Sequence, residues 1–127
     1  MKTNRIIYWV TTVIVALMMV NSAFMYVTKP EMKQGFTHLG FPDYFRIELA
    51  VFKVVGAVLL LAPLSRSFKE WAYAGFAITF VSAYIAHSAS GDPMSYRMMP
   101  VVFLILLIVS YITYLRSLNP AGKKILV

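Results

Sequence analysis

The chain has 127 residues, of which 60% are hydrophobic and 13% charged, with a formal net charge of +7 and no cysteine. A soluble domain this small cannot hide so apolar a composition, so soluble enzymes, disordered chains and nucleic-acid readers are excluded and a single-domain integral membrane protein remains. The lack of cysteine also removes disulfide scaffolds, CxxC redox sites and covalently attached c-type haem. The basic residues are scattered between apolar runs, which reads as orientation in a membrane rather than as nucleic-acid binding.

Charge-free runs mark the spans. Ile6 to Thr28 gives 23 residues without a charge, close to the ~20 that a helix needs to cross ~30 Å of hydrocarbon. Lys2 and Arg5 before it, and Asn21-Ser22-Ala23 within it, imitate a signal peptide. The run is longer than a usual h-region and continues past that point, so an uncleaved anchor is expected. Pro30 to Tyr44 is too polar to span. Thr28 is expected to cap a short helix from Pro30, Glu31 to sit in its first turn, and Gly40-Phe41-Pro42 to end it. Phe36, Leu39, Phe41 and Phe45 would make it an amphipathic segment at the headgroup level.

Val54 to Ser65 has only 12 uncharged residues and reaches spanning length by extension back to Phe45, which brings in Glu48 and Lys53. Trp71 to Gly91 gives 21 uncharged residues and Met98 to Leu115 gives 18. Ala72, Gly75, Thr79, Ser82 and Ala86 recur at spacings of 3 and 4, a seam of small residues expected to face other helices. Pro100 is expected in the first turn of the last span, where a missing N–H costs little. Glu70 reads as a helix-start carboxylate, and Pro120 to Lys124 as a frayed basic tail.

The fold expected is an all-α, four-transmembrane-helix, up-and-down bundle with spans at about 6–28, 45–64, 70–90 and 97–116. Lys2, Arg5, Arg66, Lys69, Arg116, Lys123 and Lys124 fall on one side. Lys29, Lys33, Arg46 and Arg97 fall on the other, seven against four. That tally puts both termini in the cytoplasm of a multi-pass protein of a bacterial inner membrane.

An ionisable group within a span costs ~2.5–3.5 kcal/mol at mid-membrane and is therefore the sharpest functional signal. Glu48, Lys53, His87 and Asp92 share the outer half, with Asn21, His38 and Arg97 near the same depth. Glu48 and Lys53 lie five residues apart, about 140° around the helix, and make poor partners. Lys53 should point into the bundle, toward Asn21, Ser22, Ser82 or Tyr84. Pairing that locks helix positions is the first reading of this cluster. A small-molecule or quinone headgroup site is the second, a proton relay the third, and a metal or haem site the least favoured, since there are only two histidines.

Several strings resemble the DoxX-like family of small bacterial membrane proteins. They are Gly40-Phe41-Pro42, Lys53 with Gly56-Ala57, Leu60-Leu61 with Pro63, Lys69 through Phe76, and His87 through Asp92, together covering about residues 35 to 95. The resemblance implies four membrane helices. Some broader relatives are described as subunits of quinone-linked or other membrane oxidoreductase assemblies, and the family offers no catalytic residues to carry over. No cofactor is expected, quinone being the one class to keep open. The expected role is a non-enzymatic subunit or ligand- or lipid-binding module, its candidate site Glu48, Lys53, His87, Asp92 and Asn21. A quinone-linked component is the alternative, and a small-solute transporter ranks below both. Expected partners are membrane lipids and another membrane subunit or a second copy of the chain, and no nucleic acid.

Overall fold

The computed structural model describes residues 2–118, so the basic tail from Pro120 to Lys124 lies outside the described residues. Five helices follow one another: α1 (Lys2–Thr28), α2 (Pro30–His38), α3 (Asp43–Leu61), α4 (Arg66–Ala89) and α5 (Met94–Leu118), with no strand among the described residues. Prolines punctuate the chain at the breaks. Pro30 occupies the first turn of α2, Pro42 precedes α3 at φ −69°, and Pro63 follows α3.

Glycines close two of the helices. Gly40 (φ 87°) and Gly91 (φ 72°) adopt the left-handed conformation that a side chain disfavours. Each sits in a Schellman motif. At the end of α2 the Phe41 N–H donates to the Phe36 carbonyl at 2.9 Å and the Gly40 N–H to Thr37 at 3.0 Å. At the end of α4 the Asp92 N–H donates to His87 at 3.0 Å and the Gly91 N–H to Ser88 at 3.2 Å. Thr28 does not cap α2. Its hydroxyl turns back to the Phe24 carbonyl, and Lys29 is the N-cap residue.

The four long helices form a closed ring in the order α1, α3, α4, α5, each packed on its two neighbours, while α2 touches only α1 and α3. The end that carries α2 is called the α2 end below. Leu60, Val15, Thr12 and Ser110 are fully buried at the centre, with Met19, Tyr73, Phe76, Phe80 and Leu107 around them. Outward faces stay apolar on each of the four long helices: Phe24, Val55, Trp71, Ile78 and Ile105 are all exposed.

Two helices, α1 and α5, are long and apolar enough to cross a membrane. The other two are not matched by that measure, for identifiable reasons. Within its 19 residues α3 carries Asp43, Arg46, Glu48 and Lys53, and α4 dilutes its apolar residues with Tyr73, Ser82, Tyr84 and His87.

Two packing expectations are corrected. Gly75 and Ser82 of the α4 seam are exposed and Thr79 is half-buried, whereas the buried face of α4 is Lys69, Ala72, Tyr73, Phe76 and Phe80. The large side chains belong to α4 and the hollow that receives them to α3: a Cβ on Gly56 would lie 2.6 Å from Cζ of Phe76. Pro100 is not in a first turn either, because α5 begins three residues earlier than expected and Pro100 lies buried inside the helix. Its missing N–H leaves the Tyr96 carbonyl without its helical donor.

Gly56 and Gly75 therefore differ in what they tolerate. Gly56→Ala pushes on the Phe76 ring and should cost about 1–3 kcal/mol, read as a lower melting temperature in detergent. Gly75→Ala meets nothing within 4 Å and should melt within about 0.5 kcal/mol of the wild type.

Candidate functional site

The polar residues of the α2 end form two clusters rather than one. The first is built on α3. Lys53 lies about midway along that helix and is only 6% exposed. Its Nζ donates to Ser22 Oγ at 2.8 Å and to Tyr26 OH at 2.7 Å, and it stands 3.9 Å from the centroid of the Tyr26 ring. Ser22 and Tyr26 are four residues apart on α1, so both hydroxyls come from one face of that helix. Among the described residues no carboxylate lies within ion-pair distance of Lys53.

The hydrogen-bond inventory of this cluster is one-sided. An ammonium has three donors and no acceptor, and two of its donors are used. Each hydroxyl accepts from Lys53 and still has its own proton to give. Among the described residues no acceptor takes either of them. Three donors thus converge with nothing to receive them.

The cluster is roofed by α2. The Tyr26 ring meets the Phe36 ring edge-on at 5.0 Å, and Phe36 in turn touches Phe41 and Phe45. These aromatics pack on one another, because the Schellman turn folds Phe41 back over Phe36. Arg46, from the second turn of α3, donates to the Tyr26 carbonyl and to Asp43 Oδ1 (3.1 Å), tying the end of α1 to the start of α3.

The second cluster is centred on Asp92 in the α4–α5 turn. Its Oδ2 pairs with His87 Nδ1 at 2.6 Å and its Oδ1 with His38 Nε2 at 2.7 Å. The Arg97 Nε donates to the Asp92 carbonyl at 2.8 Å. The Schellman motif of α4 produces the first pair directly, since it brings Asp92 back beside His87. The second pair latches the last residue of α2 to the opposite side of the ring. Hydrogen bonds from His87 and then His38 hold the Asp92 carboxyl below the ordinary carboxylate range.

Of the five residues expected in the site, Lys53, His87 and Asp92 occupy these two clusters. Glu48 does not join them: it is exposed, on the far side of α3 from the Lys53 face. Asn21 is also exposed, and its amide reaches only Met25 Sδ at 3.6 Å. The neighbouring Ser22, 100° further around α1, makes the contact instead. Of the partners expected for Lys53, only Ser22 is one. Sequence reasoning missed Tyr26 and the bonds of Arg46. The signal for Tyr26 was its i+4 spacing from Ser22.

The opposite end holds its own polar set. Lys69 is buried and donates to the Leu60 carbonyl at 2.7 Å, one of the four carbonyls that the end of α3 leaves without a helical partner. Glu70 is not a helix-start residue, since α4 begins at Arg66. It accepts from the Tyr111 hydroxyl at 3.0 Å and from Arg66 Nε at 3.3 Å. Thr12, Ser110 and Tyr73 make a chain of hydroxyls at 2.6 and 2.7 Å across the core.

The depressed Asp92 carboxyl has a stability consequence. A group whose native pKa lies below its unfolded value of ~3.9 stabilises the fold above that value and loses the contribution as pH falls through the native one. The wild type should therefore melt above Asp92→Asn at pH ~5, and the difference should shrink as pH falls below ~4.

The sequence profile of the DoxX-like family matches residues 10–110, wider than the stretch of resemblance and covering every residue of both clusters. No curated protein and no solved structure matches the chain. With four-fifths of its length under that profile, the chain belongs to the DoxX-like family of membrane proteins.

Proposed function

We propose that this protein crosses a bacterial inner membrane four times and acts as a non-enzymatic module that binds a small amphiphile at Lys53. Its termini face the cytoplasm, and its partners are the surrounding lipids and a further membrane subunit or second copy. The four-span reading is supported by helix length. At 1.5 Å per residue α3 reaches about 29 Å and α4 about 36 Å, enough for ~30 Å of hydrocarbon. Burial of Lys53 also removes the deepest charge of α3 from the outside, because it faces α1 and the outward positions beyond Glu48 are Val51, Phe52, Val54, Val55 and Val58. Reporters fused after Gly40, Leu64 and Gly91 should read outside, inside, outside.

One observation carries the binding role. The Lys53 ammonium and the Ser22 and Tyr26 hydroxyls present three donors without an acceptor. A buried donor left unpaired costs about 1–3 kcal/mol, so a ligand that brings oxygen acceptors gains what the protein alone leaves unmade. Lys53→Met keeps the stem's volume and removes the charge, and should leave melting unchanged or raise it. Bound amphiphile, measured by mass spectrometry of the detergent-purified protein, should drop by about tenfold or more in that variant. Equal retention by both proteins would sink the reading.

A further inference from the structure

We propose that α2 is a hinged lid over Lys53, latched by the pair of His38 with Asp92, and that Lys53 is reached from water when the latch releases. This concerns the route to Lys53 and does not depend on the binding role proposed above. The helix packs on α1 and α3 alone, yet its last side chain reaches the α4–α5 turn. It therefore crosses the α2 end of the ring from one side to the other.

What it covers is Lys53. Phe36 meets the Tyr26 ring edge-on at 5.0 Å, and the Tyr26 hydroxyl accepts from the Lys53 ammonium at 2.7 Å. The nearest opening on the long helices does not lead to that charge. A cleft of about 380 Å³ lies between α3 and α4 and has Lys53 in its lining, but the Lys53 Nζ is directed to Ser22 and Tyr26 on α1, and neither lines the cleft. The approach from water runs past Phe36 and Tyr26, at the α2 end.

The lid is lightly fastened. A helix of nine residues has little stability of its own, and only Phe36 of the nine is buried. Glu31, Lys33 and Gln34 are exposed, and the Thr37 hydroxyl turns back to the Lys33 carbonyl. Among the described residues, His38 is the one α2 side chain that bonds to another element. The helix joins α1 through a single extended residue, Lys29 (φ −99°, ψ 120°), and leaves through Gly40 at φ 87°. Beyond that glycine Phe41 packs on Phe45 at 5.0 Å and stays with α3. Rotation at these two joints lifts Phe36 from Tyr26 while the long helices keep their places.

The latch has a fixed half and a free half. The Asp92 side chain is 10% exposed and is held by His87 at Oδ2, with Arg97 on its carbonyl. The His38 side chain is 56% exposed. When the imidazole leaves, Oδ1 takes water in its place, Oδ2 keeps its partner, and the imidazole is solvated too. A pair with one half in water holds loosely, as a latch does, whereas a fixed strut buries both halves.

The lysines of the chain supply the test and its controls. Lys53 and Lys69 are buried alike, 6% and 7% exposed, at opposite ends of the bundle, and Lys33 is exposed on α2. The full chain in detergent is treated with a sulfonated, water-soluble acetylating ester, and acetylation of each lysine is followed in time by peptide mass spectrometry. In the wild type Lys33 should react fast, and Lys53 and Lys69 slowly. His38→Ala should speed Lys53 about three- to tenfold, the scale of one lost hydrogen bond to a charged group at a half-exposed site, with Lys33 and Lys69 unchanged. His38→Gln, whose amide still donates to Asp92, should return Lys53 toward the wild-type rate, and Phe36→Ala should speed it through the other attachment. An unchanged Lys53 rate in His38→Ala overturns the latch, as does a glutamine variant as fast as the alanine one. Lys53 and Lys69 quickening together overturns the lid, since the whole bundle has then loosened. Loss of amphiphile in Lys53→Met with an unchanged Lys53 rate in His38→Ala sinks the lid and leaves the binding role. The reverse pair of results leaves the lid and sinks the binding role.

Discussion

A buried lysine ammonium must find hydrogen-bond acceptors, and that constraint fixes how α3 is turned. With Lys53 directed at Ser22 and Tyr26, the rest of the helix has no rotational freedom. Ala50, Gly56, Ala57 and Leu60 follow Lys53 onto the buried side, and Glu48, about 140° away, is carried to the outside. Gly56 then faces α4 and admits the Phe76 ring where any Cβ would collide. The α3–α4 seam, its cleft and the exposed valines of α3 are consequences of one side chain's need for hydroxyl partners.

The α2 end is held by connections that begin as backbone events. A left-handed glycine ends α2, and the chain folds Phe41 over Phe36, which rests on Tyr26 above Lys53. A second left-handed glycine ends α4 and returns Asp92 to His87. His38 then joins the two motifs through the second oxygen of the same carboxylate. This short helix has one buried side chain of its own, Phe36, so its position depends on what its two ends reach.

Local signals carried much of this. Charge-free runs, prolines and the two glycines locate every helix, including the short one, because each is a property of a few consecutive residues. That Lys53 and Glu48 cannot share a face was legible from their spacing alone. What failed needed a partner to be known. The small residues of α4 suggested a packed seam, yet smallness does not say which side supplies the knob, and here Phe76 supplies it to Gly56. Ser22 and Asn21 are equally polar neighbours, and only the rotation of α1 against α3 chooses between them. Tyr26 has the composition of an interface anchor and the position of a ligand to Lys53. The start of α5 moved by one turn, which changed Pro100 from a harmless first-turn residue to an interior one.

The two ends of the bundle also differ in the kind of polar group they leave over. At the end away from α2, Lys69 meets a carbonyl that had no donor, and Glu70 meets a tyrosine and an arginine. In the core between the ends, Thr12, Ser110 and Tyr73 pass hydroxyl bonds from one helix to the next. The Asp92 turn likewise matches two carboxylate oxygens to two imidazoles. These sets stabilise the positions of helices, with Arg66 Nη2 the buried atom among them that has no partner. The Lys53 set holds α1 to α3 equally well, since two of its bonds already do that. Its surplus is of one kind, donors and positive charge, around a lysine that is itself buried. In the binding role proposed for Lys53, that surplus is what an oxygen acceptor on the ligand would take up.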